Sequence, residues 1–198
     1  MKWLKSRRST TLPGSIGTVK LGQPVPLIVA GDSAGGNLAA VMAQRARAAS
    51  GPSIAVQVLA YPVTDCDLDT TSYLDPANQL MLTRDSMAWF WDHYAPDPRA
   101  RLHPDAAPLR IPVFFGLPPA VILTAEHDVL RDEGELYATQ LVKAGVPVLH
   151  QRFAGQMHGF LTMDVLPAAG AAMDYVVEGI EKHLAADLVT ADTGDAHS

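Results

Sequence analysis

The chain has 198 residues, with 15 Lys or Arg against 21 Asp or Glu, a formal charge of −6 and a hydrophobic fraction of 48%. That length bounds about one domain, able to bury roughly 70% of its unfolded surface without a disulfide or metal staple. The apolar content excludes a disordered chain, the scattered cations exclude the basic face of a nucleic-acid binder, and the single Cys66 excludes an intramolecular disulfide or a cysteine-cage zinc site. The strongest apolar stretches, 27–30 and 54–62, fall short of the roughly 20 residues a membrane span needs. The basic start (Lys2, Lys5, Arg7, Arg8) leads into Ser, Thr, Pro and Gly, unlike a secretory signal. A cytoplasmic, single-domain protein is the expectation.

Taken in chain order, residues 9–26 read as a Ser/Thr/Gly/Pro-rich connector, with Trp3-Leu4 as the stub of a preceding helix. The run Pro26–Ala30 is continuously apolar, as a strand buried on both faces of a parallel sheet should be. A helix from about Ala34 to Ala49 follows, with Leu38, Val41 and Met42 on one face and Arg45 and Arg47 in its last turns. Ile54–Tyr61 is a second strand, ended by Pro62. The stretch 63–118 is Pro-rich and interrupts the alternation. Its one helical pattern is Met87, Phe90, Trp91 and Tyr94, closed by Pro96, and an insertion of this length suits a lid or binding loop. A third strand (Pro119–Ala125), a helix (about Leu130–Ala144, stopped by Gly145), a fourth strand (Pro147–Phe153) and a last helix (about Ala168–Ala186) complete the pattern. Residues 187–198 are small, polar and acidic, and read as a flexible tail. Alternation of this kind predicts an α/β fold on a mostly parallel sheet, with the site in loops at the carboxyl ends of strands.

Gly31-Asp32-Ser33-Ala34-Gly35-Gly36 sits where the first strand hands over to the first helix, the context a G-x-S-x-G nucleophile elbow requires. With nine serines and glycine at roughly 7% of positions, chance supplies the pattern about 0.04 times. A sharp turn there exposes the Ser33 hydroxyl. Gly31 and Gly35 are expected to be small because strand and helix close together around it. The Ala34 amide, at a helix N-terminus, is placed to meet an oxyanion.

A serine hydroxyl needs a base, and the base an orienting group. Of seven histidines, His158 in Gln156-Met-His-Gly-Phe160 lies in the loop just past the fourth strand. Asp128, immediately past the third strand, is the favoured acid. Its simpler role is to cap the next helix, with Asp132 and Glu133 in the first turn. Asp65 and Asp67, past the second strand, are rivals. Asp65-Cys-Asp-Leu-Asp69 fails as a calcium loop, because Thr70 and Pro76 stand where glycine and the bidentate glutamate belong.

GDSAGGNLAA, YPVTD, the Asp128–Gly134 segment, KAGVPV and HGF occur in one order over residues 27–184. In this the chain resembles the hormone-sensitive-lipase-like branch of the α/β-hydrolase superfamily. The resemblance implies Ser33 as nucleophile, His158 as general base and acid, Asp128 as its partner, and hydrolysis of small carboxylic esters through an acyl-enzyme, with no cofactor or metal. The family's HGGG-type segment, which supplies further oxyanion donors, has no match here: the only Gly-Gly pair is Gly35-Gly36. The chain therefore reads as the C-terminal part of such a hydrolase: one partial domain over 1–186, with a lid-like insertion at 63–118 and the tail at 187–198. Its nucleophile strand is expected at a sheet edge, which invites pairing with a second copy or another chain. Leu80, Met81, Leu82, Trp89, Phe90 and Trp91 are candidate walls of an acyl pocket. Two alternatives stay open: a catalytically impaired remnant acting as an interaction or scaffold domain, and a peptidase or thioesterase.

Overall fold

The computed structural model describes residues 25–194, and side-chain surroundings through residue 185. The Trp3-Leu4 stub, nearly all of the connector and residues 195–198 lie outside the described residues. Four strands, β1 (Leu27–Asp32), β2 (Ile54–Ala60), β3 (Ala120–His127) and β4 (Val148–Met157), pair in parallel in chain order. The continuous apolar run of β3 is why it lies inside: Ala120–Ala125 is buried throughout. Among the described residues β1 pairs with β2 alone and forms one edge of the sheet.

Helix α1 (Ala34–Ala48) follows β1 directly. The insertion carries α2 (Thr71–Leu74), α3 (Arg84–Tyr94) and α4 (Pro98–Arg101), and α5 (Arg131–Lys143) and α6 (Pro167–Gly194) complete the fold. Strand side chains alternate between two faces. Val58, Val121 and Leu123 pack with Ala172 and Val176 of α6. Leu59 and Ile122 meet Ala39 and Ala40 of α1 and Tyr137 and Leu141 of α5 on the other face. Each such buried Leu, Ile or Val contributes about 1.5–3 kcal/mol, so the sheet is a rigid base for its loops. A third cluster joins the insertion (Tyr73, Leu82, Met87, Trp91) to Val129 and Leu130 beside Asp128. Among the described residues no helix is long and apolar enough to cross a membrane.

Two elements outrun the sequence reading. Strand β4 continues past Phe153 to Met157, because a register shift opposite Ala125 and His127, with Gly155 at φ 68°, absorbs the Ala154-Gly155 kink. Helix α6 is described through Gly194, where the sequence reading ended the helix near Ala186 and expected a flexible tail.

The turn between β1 and α1 explains its glycines, with one correction. A Cβ on Gly31 would stand 2.2 Å from the Gly35 carbonyl carbon and oxygen, and one on Gly36 2.8 Å from Pro62 Cβ. A Cβ on Gly35 meets nothing nearer than 3.8 Å, so the crowding lies in the Gly35 backbone rather than in the space for its own side chain. Gly31→Ala is accordingly expected to cost about 1–3 kcal/mol or more in urea unfolding. Gly35→Ala should hold stability or raise it by up to about 1 kcal/mol, as alanine does within a helix. The reverse order of the two midpoints contradicts this packing.

Candidate active site

Ser33 sits between β1 and α1 with φ 53° and ψ −120°. A left-handed φ in a non-glycine residue persists only where the surroundings hold it. Here the Ser33 N–H donates to the Ala60 carbonyl at 2.9 Å, and the Ser33 carbonyl accepts from Asn37 N–H at 3.1 Å and Val63 N–H at 3.3 Å. The strand before it and the helix after it thus hold the residue that carries the hydroxyl. Ala34 supplies the first amide of α1, one of the N–H groups that find no carbonyl within their own helix.

His158 follows the last residue of β4 and precedes Gly159, whose φ of 82° turns the chain. Its Nε2 lies 2.9 Å from Ser33 Oγ, and its Nδ1 lies 2.8 Å from Asp128 Oδ2. A carboxylate only accepts, so Nδ1 carries the proton and donates it; Nε2 is then the acceptor for the serine O–H. Asp128 is buried and His158 nearly so. The second Asp128 oxygen accepts the Leu130 N–H at 3.0 Å, so the aspartate also ties the turn before α5. One Asp128 oxygen thus holds the turn before α5 while the other meets the imidazole.

The rival carboxylates are occupied elsewhere. Asp65 pairs with the Arg110 guanidinium and accepts the Cys66 N–H, and Asp67 accepts the Asp69 N–H at 3.0 Å. Among the described residues no three His, Cys, Asp or Glu side chains gather as a metal site requires.

Two residues the sequence reading missed support the site. Tyr61 is buried at φ 35°, with its ring 4.8 Å from the imidazole of His158 and 5.8 Å from Phe160. Burial pushes its phenol up, with Asp32 and Asp128 adding to the effect, so the ring stays neutral behind the histidine. Asn37, buried one turn after Ser33, donates both amide protons, to Val63 O at 2.9 Å and Ala106 O at 2.8 Å. It binds the start of the insertion and its Ala106 segment to α1. An asparagine on the inner face of a helix is the available sequence signal for such a tie, whereas nothing local marks Tyr61 for a positive φ.

A cavity of about 500 Å³ opens at Ser33, walled by Leu38, Val63, Leu82, Met87, Phe90 and Trp91. Leu82, Phe90 and Trp91 are walls, as expected. Leu80, Met81 and Trp89 do not line it and are half exposed or more; on α3, Met87, Phe90, Trp91 and Tyr94 face the cavity and Trp89 does not, while Leu80 and Met81 lie before the helix. Met87 and Trp91 serve both the core of the insertion and the cavity wall.

With this geometry in place, the family is shown by comparison: the alpha/beta hydrolase fold matches over residues 1–162, and the chain belongs to that family. It is 43% identical over 156 residues to carboxylesterase NlhH of Mycobacterium tuberculosis, covering 76% of this chain and 49% of that protein. It is 36% identical over 162 residues to ethyl acetate hydrolase of Pseudomonas putida, covering 80% and 50%. Among solved structures, a thermostable esterase from Pseudomonas putida superposes with a TM-score of 0.71 at 46% identity, over 74% of this chain and 48% of that one. A fungal esterase from Rhizomucor miehei gives 0.76 at 43% identity, over 80% and 50%. The chain spans about half the length of the curated relatives it matches.

The His158–Asp128 contact has a spectroscopic consequence. A proton held between Nδ1 and a buried carboxylate gives a downfield imidazole N–H resonance. That resonance should vanish in Asp128→Asn and survive in Asp65→Asn. Its loss from the second variant alone contradicts the assignment.

Proposed function

We propose that this chain hydrolyses carboxylic esters of small acyl groups through Ser33, His158 and Asp128. The observation that carries the reading is the unbroken hydrogen-bonded line from Asp128 through His158 to Ser33 Oγ at the floor of an apolar cavity. The esterase names of its relatives support it as well. A cytoplasmic setting goes with the reading, since a chain with one cysteine has no need of an oxidising compartment.

In the proposed reaction Nε2 of His158 takes the Ser33 proton as Oγ attacks the ester carbonyl carbon. The carbonyl π electrons move onto oxygen, and the Ala34 amide at the N-terminus of α1 donates to that oxyanion. Asp128 keeps the proton on Nδ1 and stabilises the imidazolium that forms. As the tetrahedral carbon collapses, the alcohol leaves with the proton from Nε2. Water, deprotonated by the same nitrogen, then attacks the acyl-enzyme, and the acid departs as Ser33 recovers its proton. The apolar walls hold the acyl chain and exclude water from the charges that develop.

Hydrolysis of p-nitrophenyl esters of increasing acyl length, followed by absorbance, tests the reading. Ser33→Ala should reduce turnover to the background rate, and Asp128→Asn should lower kcat on the order of 10⁴-fold. Asp65→Asn and Asp67→Asn, at the rival carboxylates, should leave kcat within about threefold. Turnover that survives Ser33→Ala, or that falls with Asp65 or Asp67 and not with Asp128, overturns it.

A further inference from the structure

The proposed reaction leaves one buried ionisable group unused. Glu133 lies in the first turn of α5, five residues past Asp128, and is only 2% exposed. Its Oε1 accepts two backbone N–H groups from the insertion, Thr64 at 2.7 Å and Asp65 at 3.2 Å. The Thr64 hydroxyl answers by donating to the Glu133 carbonyl at 2.9 Å. The segment so held begins at Val63, which lines the cavity and donates its N–H to the Ser33 carbonyl. Glu133 therefore joins the helix that follows the acid to the wall that would face substrate.

The remaining atoms define its protonation state. Glu133 Oε2 is buried with no hydrogen-bond partner among the described residues, and so is the hydroxyl of Tyr73, which lies beside it on α2. No Lys or Arg pairs with Glu133 among the described residues. The charges facing it are Asp65, whose own partner is Arg110, and Asp128. Both are carboxylates. Burial raises the Glu133 carboxyl well above its usual range, against the lowering effect of the two amides it binds, and the two neighbouring carboxylates add to the rise. A proton on Oε2 removes the unpaired charge from this buried site, where no cation faces the carboxyl and its nearest charged neighbours are carboxylates.

We propose that Glu133 is a positioning residue of the esterase site, carried as the neutral acid, whose Oε1 holds the Thr64–Asp65 backbone directly behind the Val63 wall of the cavity. Only the kinetic consequence rests on the esterase reading; the protonation state does not.

The test joins two measurements on Glu133→Gln and Glu133→Ala. Infrared absorption at pH 7, where ordinary carboxyls are ionised, should show a protonated-carboxyl C=O band in the wild-type chain that Glu133→Gln removes. This reads the proposal whether or not the chain turns over ester. In ester hydrolysis, Glu133→Ala should raise KM about tenfold with a smaller fall in kcat, and Glu133→Gln, which keeps both the acceptor and the donor, should restore KM to within about threefold. A role in folding alone would lower the melting temperature of Glu133→Ala without this split between KM and kcat. Where Glu133→Ala fails to fold, the Gln variant and the band decide between them. Absence of the band, a band that persists in Glu133→Gln, a Gln variant as impaired in KM as the Ala variant, or an Ala variant with unchanged KM overturns the proposal.

Discussion

The left-handed backbone of Ser33 is the constraint on which the rest of this structure depends. A φ of 53° at a residue with a side chain costs about 1–3 kcal/mol, and the fold offsets it from three directions. Strand β2 accepts the Ser33 N–H, α1 and the start of the insertion both donate to its carbonyl, and Gly31 lets the Gly35 backbone close over the strand end. The same turn puts the Ser33 hydroxyl and the Ala34 amide at one point. The proposed nucleophile and the proposed oxyanion donor are thus products of a single packing requirement.

Two further loops meet that point because parallel strands deliver their carboxyl ends to the same rim of a sheet. Asp128 leaves β3 and is fixed at once by its own turn; His158 leaves β4 after a bulge and is stopped by Gly159. Tyr61, at the end of β2, fills the space behind the imidazole. The insertion is not a loose cover. Asn37 binds it to α1 and Glu133 binds it to α5, so the cavity wall and the catalytic line share anchors.

The fold was largely legible in the sequence because its signals are local. The apolar runs of β2 and β3 mark strands that are buried, whereas the equally apolar run of β1, expected to be buried on both faces, is exposed or half-buried because it lies at the sheet edge; helix α5 announces itself by acidic residues in its first turn and Gly145 just past its end. The convergence of Ser33, Asp128 and His158 was legible because each sits just past a strand, where α/β sheets build sites. The misses have one cause: they depend on contacts between segments distant in sequence. The Gly155 bulge that lengthens β4, the positive φ of Tyr61 and the burial of Glu133 follow from what packs against them. The choice of Gly31 over Gly35 as the crowded position follows from which backbone closes on which, and a motif treats the two alike. Trp89 looks like a pocket wall by composition, but the rotation of α3 decides which of its aromatic residues face the cavity.

The central claim is that the Ser33 hydroxyl is made nucleophilic by the imidazole 125 residues away along the chain. Its most direct measurement is covalent capture: exposure to a diethyl phosphoryl ester, followed by mass spectrometry of the digested chain. The account predicts one diethylphosphoryl group on the peptide that contains Ser33, with the labelling suppressed in His158→Ala. Labelling at another serine, or labelling of Ser33 that proceeds unchanged without His158, contradicts it.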